Sequence, residues 1–252
     1  MDDAVEGQAS RRPRLRLWLA VILLPLAMAI LLSLGTWQVQ RLHWKERLVA
    51  DIEARRTAPP VDVTEIERLV AAGEDIDYRA MLASGLFLHD RERHFLATYN
   101  GQAGYYVYTP LQLADGRYLF VNRGFVPYDN KPPETREAGL VGGEQRIAGL
   151  ARSRLAEKPG FLVPDNDPAK NIFYWKDLGQ MAVSVGLSEE SVLPFFLDAD
   201  DTPVPGGLPI GGVTQIDLPN NHLQYAITWY GLAFALALVA TVSFVRRRKH
   251  DV

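Results

Sequence analysis

The chain has 252 residues, 48% of them hydrophobic, and a formal net charge of −3. No global basic field marks a nucleic-acid partner. Cysteine is absent, which excludes disulfides, thiolate metal sites, iron–sulfur clusters, covalent c-type haem attachment and a cysteine nucleophile. The four methionines are scattered, so the five histidines are the soft-metal candidates.

The apolar residues concentrate at the two ends. Arg11, Arg12, Arg14 and Arg16 precede an uncharged run from Leu17 to Leu34. That run, about 18 residues, suits a membrane-spanning helix in which Pro25 is tolerated as a kink. Ser10–Leu15 imitates a twin-arginine export signal and Ala27-Met28-Ala29 a cleavage site. The would-be site lies inside the apolar run, so an uncleaved anchor is the better reading. Acidic Asp2, Asp3 and Glu6 argue against a mitochondrial transit peptide. From Gly35 to Arg56 no breaker follows the glycine, and the helix is expected to continue as a stalk.

Pro59-Pro60 opens a soluble domain. Thr64–Gly73 reads as a short helix with a capping-box start. Aromatic and β-branched runs follow at 79–88, 93–99, 105–113, 117–126, 145–151, 171–176 and 194–199. Turn signals separate the first four, at His89-Asp90, Asn100-Gly101 and Asp115-Gly116. A helix is expected over 177–186. Sequential hairpins imply an α+β domain built on an antiparallel sheet that can curl into a partial barrel, with helices at one end. The turn-rich segment 202–212 leads back to a second apolar run.

That run opens with Pro219-Asn220-Asn221-His222. Asn220 or Asn221 caps a helix, which places His222 in its first turn. Tyr225 to Val245 carries no charge, about 31 Å of helix, and Arg246, Arg247, Arg248 and Lys249 stop it. Basic residues thus flank both runs on their outer sides, which places both termini in the cytoplasm. Trp37, Trp44, Trp229 and Tyr230 suit an interfacial belt. Small residues at four-residue spacing (Gly231, Ala235; Ala233, Ala237) permit close packing of the two helices, or of two copies of one.

Two readings of His222 stand side by side. It is an interfacial polar residue at a helix start, or a metal or haem-iron ligand. The positive end of a helix macrodipole favours a neutral imidazole with a free lone pair. Ala226, Trp229 and Ala233 follow it along one face, which suits a flat apolar ring system.

Elsewhere, chemistry has little support. G-x-S-x-G, H-E-x-x-H, Walker and G-x-G-x-x-G patterns are missing from the sequence. His89 and His94, with Asp90 and Glu92 between them, read as a solvated turn rather than a metal site. His43 reads as a stalk-face residue. Asp198, Asp200 and Asp201 read as a solvated acidic turn. Arg123, in Val121–Pro127, is placed to clamp a carboxylate, although a structural ion pair is the commoner fate of such a residue.

Several segments resemble the surfeit-locus cytochrome c oxidase assembly family. They are LGTWQVQRLHWKERL (34–48), YRAMLASGLF (78–87), VNRGFVP (121–127), PETR (133–136), FLVPDNDPAKNIFYWKDLGQMA (161–182), FFLDAD (195–200), PGGLPIGG (205–212) and NHLQYAITWYGLA (221–233). The resemblance implies a bacterial inner-membrane protein with a cytoplasmic tail (1–16), a transmembrane helix (17–37), a helical stalk (38–58), a periplasmic domain (59–219), a second transmembrane helix (220–245) and a basic cytoplasmic tail (246–252). It implies a non-catalytic factor, in contact with membrane lipid, that aids maturation of oxidase subunit I beside haem A synthase and other assembly factors. It also implies haem a as the bound group, with His222 as its iron ligand; in that reading nearby N–H groups or arginines such as Arg123 or Arg41 are candidates to meet the propionates. The alternative is a scaffold for subunit I that binds no haem.

Overall fold

A computed structural model describes residues 11–214 and 218–250. The tail expected over 1–16 lies largely outside them. The chain forms two compact units, one of Met1–Ala50 with Asp217–Val252, the other of Asp51–Ile216.

The first unit is built on two long helices, α1 (Arg11–Thr57, whose last turns belong to the second unit) and α4 (His222–His250). Both are long and apolar enough to cross a membrane. Their outward residues include Val21, Ile22, Leu26, Phe234, Leu238 and Phe244, all exposed. In water so much bare apolar surface would be a liability; in lipid it is the solvent-facing side. α1 runs through Pro25 without a break, as one helix from anchor to stalk.

The second unit is the α+β domain. After α2 (Val63–Ala71) come β1 (Ala80–Phe87), β2 (Arg93–Tyr99), β3 (Gln102–Gln112), β4 (Tyr118–Pro127) and β5 (Glu144–Ser153), then α3 (Leu178–Ser184) and β6 (Val192–Ala199). Strand order is β1-β5-β6-β4-β3, and β1 returns to β3 through Leu86–Gln112 and Phe87–Leu111, which closes a five-stranded barrel. β2 continues along the same edge of β3, from Arg93–Tyr108 to Tyr99–Gln102. The expected antiparallel sheet is therefore nearly right. One pair, β4–β6, is parallel, because five strands closed in a ring cannot alternate direction throughout.

Side-chain alternation sorts the core. Leu119 and Val121 of β4, with Phe195 and Leu197 of β6, point into the barrel among Met81, Leu111 and Ala151. Ile66 of α2 reaches the same cluster. Phe120 and Phe196, one residue out of step, point outward beneath Met181, Ala182 and Val185 of the α3 region. Both faces of these strands are buried, which is why they read as nearly unbroken apolar runs.

Three local expectations are corrected. The helix at 63–71 is capped by Asp62, whose carboxylate accepts from the Glu65 amide at 2.9 Å, and not by Thr64. Residues 171–176 form no strand. Asn171 sits at φ +53°, and the Asn166 side chain takes the amides of Tyr174 and Trp175 at 2.8 and 3.2 Å. Only Ile172 and Phe173 make bridges, Phe173 against Phe95 of β2. The third correction is a bulge in β4. Tyr106 faces Phe125 and Tyr108 faces Asn122, so Arg123 and Gly124 together oppose Val107. Gly124, at φ +120°, has no room for a Cβ, which would lie 1.9 Å from the carbonyl oxygen of Ile210.

Candidate functional site

In the helical unit α1 and α4 meet in a polar contact at His222. Asn220 accepts the His222 amide through Oδ1 at 3.4 Å, and the Asn221 carbonyl takes the Tyr225 amide at 3.2 Å, so the two asparagines start the helix as expected. The ring is half-buried. Its Nδ1 lies 2.7 Å from Oε1 of Gln38, a residue 184 positions earlier and 9% exposed. An amide oxygen only accepts, so Nδ1 carries the proton and donates, and the lone pair belongs to Nε2. A partner on one ring nitrogen that fixes the tautomer and aims the other is the arrangement found behind histidine metal ligands. His222 alone therefore has the chemistry of a metal-ligating imidazole, with one ring nitrogen held and the other open.

The platform expected below it is different. Ala226 and Ala233 are 1% and 4% exposed, packed inside the helical unit, so a flat ring cannot lie across them. Two further contacts hold this pairing. Thr36 Oγ1 meets the Tyr230 hydroxyl at 3.1 Å, and a Cβ on Gly35 would lie 2.8 Å from the Tyr230 ring. The surface that remains open carries Trp37, Leu223 and Tyr225, all exposed, and Arg41, whose guanidinium stacks 3.8 Å from the Trp44 ring centroid. His43 is an exposed stalk residue beside Glu46, Nδ1 to Oε2 3.2 Å.

Gln38 was not singled out by sequence reasoning. Its signal was present: it follows Gly35 by three residues, hence lies on the same helix face, and an amide on the packed face of an apolar helix requires a partner.

In the barrel unit, the His89–His94 turn is solvated at Asp90 but not at Glu92 or His94. His94 is buried, its Nε2 3.2 Å from Glu92 Oε1, while the Asn171 side-chain amide donates to its Nδ1 at 2.9 Å. Arg136 closes the cluster with a charged hydrogen bond to Glu92. Burial works to raise the Glu92 pKa, yet the hydrogen bonds from His94 and Arg136 outweigh it and hold the carboxyl below its ordinary range. The acidic turn is half-corrected as well. Asp198 is buried, accepting from Asn122 at 3.0 Å and Thr214 at 2.9 Å, whereas Asp200 and Asp201 lie at the surface. Among the described residues, no group of three or more His, Asp or Glu side chains is arranged to hold a metal ion.

Arg123 continues the inward alternation of Leu119 and Val121. Its guanidinium donates to the Gly139 carbonyl and to Nδ1 of His89 at 3.2 Å, and stands 5.0 Å over the Phe87 ring. Among the described residues it forms no ion pair, contrary to the commoner fate expected of it.

A family model described as the SURF1 family matches residues 26–234. Surfeit locus protein 1 of Xenopus tropicalis is 38% identical over 248 residues, covering 91% of this chain and 76% of that protein. Surfeit locus protein 1 of Homo sapiens is 38% identical over 236 residues, 85% of this chain and 74% of that protein. A SURF1-like protein of Monosiga brevicollis is 39% identical over 230 residues, 86% and 83% of the respective chains.

Proposed function

We propose that this chain, which belongs to the SURF1 family, is a two-span, non-catalytic assembly factor for a haem–copper cytochrome c oxidase. In this reading it binds haem a as cargo and aids its insertion into subunit I. The family resemblance supports the assembly role, and the paired helices α1 and α4 support anchoring in the bacterial inner membrane. Basic residues outside both apolar runs support cytoplasmic termini and a periplasmic barrel domain. Partners are subunit I, haem A synthase and other assembly factors.

One observation carries the haem reading: the Gln38–His222 hydrogen bond, which keeps the proton on Nδ1 and leaves Nε2 free for iron. Gln38 orients the ring, and the start of α4 holds it at the end of the apolar run. The exposed rings of Trp37 and Tyr225 offer apolar contact, and Arg41 offers a cation to a propionate. A second reading, a scaffold that holds subunit I without touching haem, is favoured by the burial of Ala226 and Ala233, which removes the expected platform.

The protein purified from a host that makes haem A separates the two by its optical spectrum. Wild type should carry a Soret band that His222→Ala loses or shifts, at equal protein level. Near-stoichiometric haem with a spectrum unchanged in His222→Ala would refute ligation by His222. Wild type without haem, but with subunit I bound, would establish the scaffold.

A further inference from the structure

We propose that the barrel carries a second binding site, for a small monocarboxylate with an apolar body, anchored by Arg123. A cavity of about 380 Å³ opens beside this residue, its wall formed largely by Phe87, Val141, Ile147, Ala199, Pro203 and Val204. That volume is at the small end of the range for small-molecule pockets. The wall selects an apolar body. The anchor selects the head group.

The charge on Arg123 is what makes this a site rather than a packing gap. Arg123 is 5% exposed, and its two hydrogen-bond partners, the Gly139 carbonyl and His89 Nδ1, are both neutral acceptors. His89 cannot supply the missing charge. Its Nε2 meets the Val141 carbonyl at 2.9 Å, so that nitrogen bears the proton and Nδ1 is bare; burial, with Arg123 beside it, pushes its pKa down. Glu92 is engaged by Arg136 and His94. Arg146 and Asp200 also line the cavity; Arg146 is exposed to solvent, and Asp200 Oδ1 accepts the Thr202 amide at 3.1 Å. One buried positive charge is left over. An uncompensated buried cation is costly, and burial pushes the pKa of Arg123 down to about 10. A carboxylate in the cavity would remove that cost through a charge-assisted hydrogen bond.

Arg123 keeps the inward alternation of Leu119 and Val121, which aims it at the side where Phe87, Ile147 and Ala199 lie. The bulge begins at Arg123-Gly124, and bulges are frequent beside binding sites. Gly124 is required by the close approach of Ile210, which returns two backbone hydrogen bonds to Phe125, both 2.8 Å. The segment 203–205 that follows β6 then forms part of the cavity wall. This site is independent of His222 and of the haem reading.

The test uses the full chain in lipid nanodiscs, with empty nanodiscs as the blank. Equilibrium dialysis of labelled hexanoate should show saturable binding at one site per chain, with hexanol and hexylamine at least tenfold weaker, the discrimination expected of a hydrogen-bonded charge. Arg123→Met should lose at least tenfold in hexanoate affinity. Thr202→Trp, an exposed lining position, should block the cavity without touching Arg123 and keep the wild-type melting temperature. The head-group series on wild type stands even if Arg123→Met fails to fold. No saturable hexanoate binding, equal binding of hexanol, or full binding by Thr202→Trp would each overturn the proposal. Binding of a peptide through its C-terminal carboxylate in place of hexanoate would overturn it too.

Discussion

Replacing Gln38 tests whether the contact between α1 and α4 prepares His222 for the proposed iron. Gln38→Leu keeps the apolar volume of the helix contact but removes the acceptor for Nδ1–H, 2.7 Å away. A half-buried donor is then left without a partner, which costs about 1–3 kcal/mol. Loss of such an outer partner typically lowers metal affinity about 10–100-fold, or roughly 1.4–2.8 kcal/mol, the same range reached from the other direction. The expected result is therefore a Kd for ferric haem raised about 10–100-fold, read by titration of the Soret band. Gln38→Glu should restore or exceed wild-type affinity, because a carboxylate accepts the same proton more strongly and makes the ring a better donor to iron. Nitrogen-15 spectra of the haem-free protein give a second readout: His222 should be the Nδ1-protonated tautomer in wild type and a mixture in Gln38→Leu. If His222→Ala abolishes binding while Gln38→Leu binds within twofold of wild type, the positioning role of Gln38 is wrong. If His222→Ala binds normally, the fault lies with the haem reading itself.

Two other perturbations address what holds each unit together. Arg136→Met leaves the Glu92 carboxylate buried without its cation, a loss of about 3–5 kcal/mol that should lower the melting temperature of the barrel unit by roughly 6–20 °C. Adding Glu92→Gln should recover part of it, and a loss under about 1 kcal/mol in the single variant would refute the pairing. Because the Glu92 pKa is lowered in the folded state, its contribution is complete above the unfolded carboxyl pKa of about 4.3 and disappears as pH falls through the folded value. Wild type should thus lose stability on acidification below about pH 4.3 more steeply than Glu92→Gln, as measured by denaturant midpoints. In the helical unit, Gly35→Leu places a side chain where the Tyr230 ring now lies, 2.8 Å from the glycine's would-be Cβ. The chain is free of cysteine, so Gln38→Cys with His222→Cys can be bridged by a short thiol cross-linker, and Gly35→Leu should cut that yield several-fold; an unchanged yield would mean the helices do not depend on this contact.

Local periodicity carried the sequence reading a long way, and its limits have physical causes. β1, β2 and the helix at 178–184 are nearly where alternation and capping put them, because each buries a regular pattern of its own. Residues 171–176 have the composition of a strand but lie after Pro168 and around Asn171 at positive φ, so Phe173 is buried beside β2 through a single bridge and no ladder. Composition reports burial; it does not report pairing. The parallel β4–β6 pair was equally hidden, since direction in a barrel is decided by ring closure and not by any single strand.

The candidate sites show the same division between local and long-range information. His222 was legible because a helix start, an apolar run and a lone imidazole are all local features. Its partner was not, because Gln38 and His222 are separated by 184 positions and meet only when α1 and α4 pair. Arg123 was legible as a strand arginine beside a glycine, but its missing counter-ion was not. That depends on Glu92 being taken by Arg136 and His94, three residues brought together from two separate segments. In both places the chain sets a charged or metal-seeking group against an apolar surface and leaves one valence unmet. The two groups differ in kind, a nitrogen lone pair at the helix boundary and a cation in the barrel wall, so the two proposed ligands are distinct and each group can be removed without the other.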